Sequence, residues 1–113
     1  KLSNVWAGSA SISSNTAVNT EAEYEGVVPK GVSSVYINMT GESANVDSDN
    51  LKYVDIFPDS NLACNGVGIY FAVADSPAIS CGWQTCDANG DIYIRRNDTI
   101  ADLQMSILGV QLR

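Results

Sequence analysis

The chain has 113 residues, 45% of them apolar, enough for one domain that buries about 65% of its unfolded surface without cross-links. Thirteen acidic residues against six basic ones give a formal charge of -7, which excludes the Lys/Arg footprint of a nucleic-acid binder and disfavours anionic membranes. There is no histidine, so Ser-His-Asp and Cys-His catalysis and His-based zinc sites are excluded as well.

Turn residues recur roughly every eight to twelve positions, the rhythm of an all-β chain. Ala10 and Ile12 alternate with serines in an expected first strand. Ala22-Glu23-Tyr24 begins a second, which ends near Val28-Pro29. Val35, Ile37 and Met39 then share one face, with Tyr36, Asn38 and Thr40 on the other, and Gly41 closes the strand. Ser43 to Asn50 is polar and acidic and reads as a loop. Val54 and Ile56 oppose Tyr53, Asp55 and Phe57 in the next strand, which Pro58 ends. Ile69-Tyr70-Phe71-Ala72-Val73-Ala74 is apolar on both parities, as in a central strand covered on both sides. Ile79, Cys81, Trp83 and Thr85 share a parity. Asn89-Gly90 signals a type I′ turn that would pair Gln84 to Ala88 back on Asp91 to Arg96, with Ile92 and Ile94 facing in and Tyr93 and Arg95 out. Finally, Leu103, Met105 and Ile107 alternate before the parity slips to Leu108, Val110 and Leu112, which a bulge near Leu108-Gly109 accounts for. Ile100, Leu103, Ile107 and Val110 also fit a helix capped by Asp98 or Thr99.

The expected fold is therefore an all-β or β-rich single domain over residues 1–113, an antiparallel sheet or two-sheet sandwich of about six to eight strands. The alternative is α+β with a helix near 98–108. The longest apolar stretch, Val67 to Ala74, is far short of the roughly 20 residues of a membrane helix, so no direct span is expected. The chain opens at Lys1 without a methionine or a visible signal peptide, and a processed form is expected.

Cys64, Cys81 and Cys86 are the disulfide candidates. Low charge and abundant Ser, Thr and Asn suit the outside of a cell, where two cysteines would pair and one remain. In a straight strand Cys81 and Cys86 stand roughly 16 Å apart on opposite faces, whereas a disulfide needs Cα atoms within about 7 Å. They pair only if Gly82 to Thr85 folds back; otherwise Cys64 joins one of them. The C-x4-C spacing is not a redox motif, and three thiolates without histidine fall short of a closed zinc site.

Asp87-Ala88-Asn89-Gly90-Asp91, with Asp98 further on, echoes a calcium loop, but Ile92 stands where the sharp turn requires glycine. Asp47 and Asp49 read as a solvated turn with oxygens that calcium could use. No metal or cofactor is expected. Asn38-Met39-Thr40 and Asn97-Asp98-Thr99 are glycosylation sequons. Two carboxylates can hydrolyse a glycoside, but nothing here places a pair across a cleft, and no enzyme is expected. The aromatic residues, among them Trp6 and Tyr24, form either a sugar-stacking platform or, with Trp83 and Tyr70 in the core, ordinary strand aromatics. Outward Tyr36, Tyr53 and Tyr93 are the interface candidates.

Leu2-Ser3-Asn4-Val5-Trp6-Ala7-Gly8, a Ser/Asn stretch, and Glu23-Tyr24-Glu25-Gly26-Val27-Val28-Pro29-Lys30 together resemble the early globular part of type IV pilins. There a Trp-Gly-Gly-like turn leads into a strand ending in Val-Pro. The long apolar N-terminal helix of those pilins is missing, and Gly31-Val32-Ser33-Ser34 stands where they often carry a cysteine. The resemblance implies a head domain alone, either truncated or docking on a helical anchor supplied by another chain.

These features point to a non-catalytic structural subunit of an extracellular or cell-surface assembly. The foremost expectation is a pilus or filament that polymerises with other protein subunits through strand edges and tyrosine-bearing faces. A virion surface or decoration protein and a secreted glycan- or protein-binding module are the alternatives.

Overall fold

Period-two burial organises the chain into two four-stranded antiparallel sheets. The computed structural model describes residues 5–6, 16–24, 26–44, 46, 52–59, 61, 66–97 and 100–113. In chain order the elements are β1 (Val5–Trp6), β2 (Thr16–Val18), α1 (Thr20–Glu23), β3 (Ser34–Glu42), β4 (Lys52–Phe57), β5 (Gly68–Phe71), β6 (Ala78–Thr85), β7 (Ile92–Arg96) and β8 (Ala101–Gln111). One sheet, here sheet A, has the order β1-β8-β3-β6; the other, sheet B, is β2-β7-β4-β5. The core between them takes Val35, Ile37 and Met39 from β3 and Leu103, Met105 and Ile107 from β8. From the opposite sheet come Val54, Ile56, Ile69, Phe71, Ile92 and Ile94. Each such side chain contributes about 1.5–3 kcal/mol by leaving water, so the alternation itself drives the two sheets together. The all-β two-sheet expectation holds.

The C-terminal segment is a strand. Its apolar positions are buried at every second residue, the pattern of a strand and not of a helix near 98–108. The expected bulge is present: Tyr36 pairs with Gly109 but Ile37 with Ile107, leaving Leu108 as the extra residue.

Four other expectations change. Ala22 to Tyr24 form no strand. Asn19 caps the short α1 by accepting the Ala22 N–H (3.2 Å), and Tyr24 is fully buried, its hydroxyl donating to the Met105 carbonyl (2.7 Å). The Asn89-Gly90 turn forms, with the Gly90 N–H donating to the Asp87 carbonyl (3.0 Å), but only Gly90 takes a positive φ. It is not the two-residue I′ turn: the Asp87 N–H also donates to the Asp91 carbonyl (2.9 Å), but beyond that closure Gln84 to Ala88 form no ladder with Asp91 to Arg96. β6 pairs with β3 and β7 with β2 and β4, so the turn carries the chain between sheets. Gly90 is required there twice over, since a Cβ would also meet the Val32 nitrogen at 2.9 Å. The apolar run after Gly68 is no central strand: among the described residues β5 is the edge of sheet B, it stops at Phe71, and Val73 is exposed. Ala10 and Ile12 lie outside the described residues, as do Asp47 to Asn50. Among the described residues no helix is long and apolar enough to cross a membrane.

Candidate functional site

The outer face of sheet A is built by strand parity. β6 alternates Ile79, Cys81, Trp83 and Thr85 outward, and its pairing with β3 sets Tyr36 beside Trp83, Asn38 beside Cys81 and Thr40 beside Ile79. Ile79 (68%), Trp83 (55%) and Leu108 (62%) are strongly exposed for large apolar side chains. Tyr36 and Trp83 meet edge to face, with ring centroids 5.4 Å apart and planes at 81°. A Cβ on Gly109 would touch both the indole tip and Tyr36 Cβ at 3.6 Å, so the β8 bulge brings a residue without a side chain up to this aromatic pair. Contact with the Cys81 thiol raises the Tyr36 phenol above its usual range. Among the described side chains of β3, β6 and β8, the outward positions hold one charge, Glu42 at the end of β3.

The outer face of sheet B is different. Tyr53 and Tyr70 sit across from each other, centroids 6.1 Å apart and tilted by 43°. The Arg95 guanidinium lies over Tyr53 (5.6 Å) and Phe57 (5.2 Å), and one of its terminal nitrogens is 3.9 Å from Asp55. Arg95 Nε is buried with no hydrogen-bond partner among the described residues. Asp55 and Phe57 are buried although their parity is outward. Gly68 makes room for Asp55, because a Cβ there would come within 2.7 Å of its Oδ1. Tyr93 donates its hydroxyl to Asp87 Oδ2 (3.0 Å), and this hydrogen bond is the main reason its phenol is raised.

Of the three interface candidates, Tyr36 lies on sheet A's open face, while Tyr53 and Tyr93 lie on the opposite face and are tied to neighbours. The structure does not bring the three together. Sequence parity grouped Ile79, Cys81 and Trp83 but could not say that their face is the outer one. Trp83 and Tyr70 are not core; both are more than half exposed.

Of the alternative cysteine pairings, the one between Cys81 and Cys86 does not form. β6 stays extended through Thr85, so Cys81 is exposed, Cys86 is buried, and both are free thiols. Burial, with the Asp87 carboxylate second, pushes the Cys86 thiol up to about 11. Cys64 lies outside the described residues.

The turn carboxylates are engaged within the fold. Asp87 Oδ1 accepts the N–H groups of Asn89 (2.8 Å) and Asp91 (2.9 Å), and the Arg113 guanidinium donates to the Asp87 carbonyl. Burial and the nearby Asp87 raise the Asp91 carboxyl, against a backbone hydrogen bond from Thr20 that lowers it. Among the described residues no three Cys, Asp or Glu side chains cluster as metal ligands would; Asp47, Asp49 and Asp98 are not described. Of the sequon asparagines, Asn38 stands half-buried on sheet A's outer face, and Asn97 Oδ1 accepts the Tyr53 N–H (2.8 Å).

A shallow depression where β5 leads into β6, lined by Tyr70, Val73 and Pro77 among others, holds about 170 Å³. Small-molecule sites usually span about 300–1,000 Å³. Among the described residues the feature that stands out is thus a face rather than this depression. No family model matches the chain, and no curated protein or solved structure matches it either.

Proposed function

We propose that this chain is a non-catalytic structural subunit of an extracellular or cell-surface assembly, joining its neighbours through a strand edge and the Tyr36-bearing face of sheet A. The observation that supports this reading is the exposed set Ile79, Trp83 and Leu108 on a nearly uncharged face, in a chain of net charge -7. Apolar exposure of this kind marks protein contacts. The scarcity of charge among its described side chains lets like-charged subunits approach where the rest of the surface keeps them apart.

A filament is the favoured form of the assembly, in keeping with the pilin-like segments Leu2 to Gly8 and Glu23 to Lys30. A separate helical chain would then serve as anchor. A virion surface or decoration protein uses the same kind of contact. The glycan-binding alternative draws on a different observation, the adjacent Tyr53 and Tyr70 rings with Arg95 beside them.

Negative-stain electron microscopy of material gently prepared from its native source tests the reading. Filaments or regular particles containing the chain are expected. Isolated monomers would overturn it, and tryptophan quenching by added oligosaccharide would then favour the binding module.

A further inference from the structure

We propose that β6 is a homotypic pairing edge: two copies of this chain join β6 to β6 in antiparallel register, with the two-fold axis at Cys81. This rests on the assembly reading and names the partner and register of one of its contacts.

Backbone direction comes first. Cys86 donates its N–H to the Ser33 carbonyl (3.0 Å), and the register from Ser34↔Thr85 to Gly41↔Ala78 runs without a shift. In an antiparallel ladder the N–H and C=O of one residue point to the same side, and the side alternates along the strand. Even-numbered residues of β6 therefore face β3, while Ile79, Cys81 and Trp83 turn both backbone groups to the free edge. Thr85 shares that direction, but its carbonyl already accepts the Gln84 side-chain amide (3.0 Å). Among the described residues β6 is the last strand of its sheet.

Natural edges are blunted by charge, by proline or by shortness. β6 runs for eight residues, Ala-Ile-Ser-Cys-Gly-Trp-Gln-Thr, with neither a charge nor a proline. A second copy of β6 fits this edge. The three edge-facing residues are symmetric about Cys81, so Ile79 pairs with Trp83 of the second copy, Cys81 with Cys81, and Trp83 with Ile79. Each of these pairs exchanges two N–H···O bonds, which leaves none of the three residues unsatisfied. The same register sets each indole against a β-branched side chain, a favourable cross-strand combination. Charge makes the choice selective: at -7 two copies repel, and this edge brings no like charges together. A two-fold contact closes on itself. The pair is therefore a building block, and growth into a polymer needs a second surface.

The test treats the 113-residue chain with a short bismaleimide and maps cross-linked peptides by mass spectrometry, with sedimentation velocity alongside. Two variants accompany it. Trp83→Lys puts a charge on each side of the seam. Cys81→Pro removes an edge-facing N–H at a position where proline is compatible with an edge strand. A Cys81–Cys81 cross-link should dominate in the unmodified chain and fall at least about tenfold in Trp83→Lys, a loss of roughly 1.4 kcal/mol or more in association. Cys81→Pro should sediment as a monomer with unchanged far-ultraviolet dichroism; if it does not fold, Trp83→Lys decides. An oligomer without the Cys81–Cys81 link, or one that survives a folded variant, overturns the pairing and leaves the assembly reading standing. A monomer at every concentration overturns both.

Discussion

The two outer faces of this sandwich carry similar aromatic residues and use them differently. On sheet B three of the rings are tied into the fold: Arg95 covers Tyr53 and Phe57, Asp55 approaches Arg95, and Asp87 holds the Tyr93 hydroxyl, while Tyr70 leans on Tyr53 and stays more than half exposed. On sheet A, Trp83 touches Tyr36 and reaches toward Gly109, yet more than half its surface stays in water. An aromatic residue pinned by a cation and a carboxylate has already made its contacts. One left exposed on a face with little charge among its described side chains keeps its apolar area for a partner. Aromatic content alone therefore does not locate an interface; the state of its neighbours does.

That contrast can be broken by mutation. The largest effect is expected on the tied face, where Phe57→Ala should destabilise the domain by about 3 kcal/mol in urea denaturation, because a buried ring and its stacked cation are lost. Asp55→Ala should cost about 2 kcal/mol, since it leaves the partly buried Arg95 without its carboxylate. If either change proved neutral, sheet B's outer face would be as free as sheet A's. Trp83→Lys should lie at the other extreme, within about 0.5 kcal/mol of the parent when measured on dilute monomer. A loss of 2 kcal/mol there would mean that Trp83 serves folding and not association.

The two thiols sharpen the same distinction between open face and interior. Cys86 rises from an ordinary 9.0 to about 11 in the folded chain, so folding favours the neutral thiol. Its contribution is fully present below pH 9 and is lost as the pH climbs through 11. Melting temperatures at pH 8 and pH 11 should show a smaller alkaline drop for Cys86→Ala than for the parent. At pH 8 only about one Cys86 thiol in a thousand is ionised. Maleimide labelling should therefore modify Cys81 well before Cys86; equal rates would contradict the burial of Cys86.

Much of the architecture was legible because it is local. Val35, Ile37 and Met39 announce their strand by alternation, and the parity slip at Leu108 marks its bulge. What was not legible depends on partners distant in sequence. Asn89-Gly90 carries a local turn signal, but which strands flank the turn is decided by β3, some fifty residues upstream, and by β4. Strand parity groups Ile79, Cys81 and Trp83 without saying which side of the sheet they take, and their hydrophobicity argues for the wrong side. Tyr24 shows the reverse: flanked by Glu23 and Glu25 it reads as a surface strand residue, yet its hydroxyl finds the Met105 carbonyl in the core. The candidate site was hidden for this reason, since an exposed apolar face looks like a buried one until the pairing is known.

The open face of sheet A, on this reading, serves association. Sedimentation velocity on the unmodified chain and on Trp83→Lys, over a wide concentration range, tests it most directly. Concentration-dependent association of the parent and a monomer for the folded variant are expected. Two identical monomers, or two identical oligomers, would contradict it.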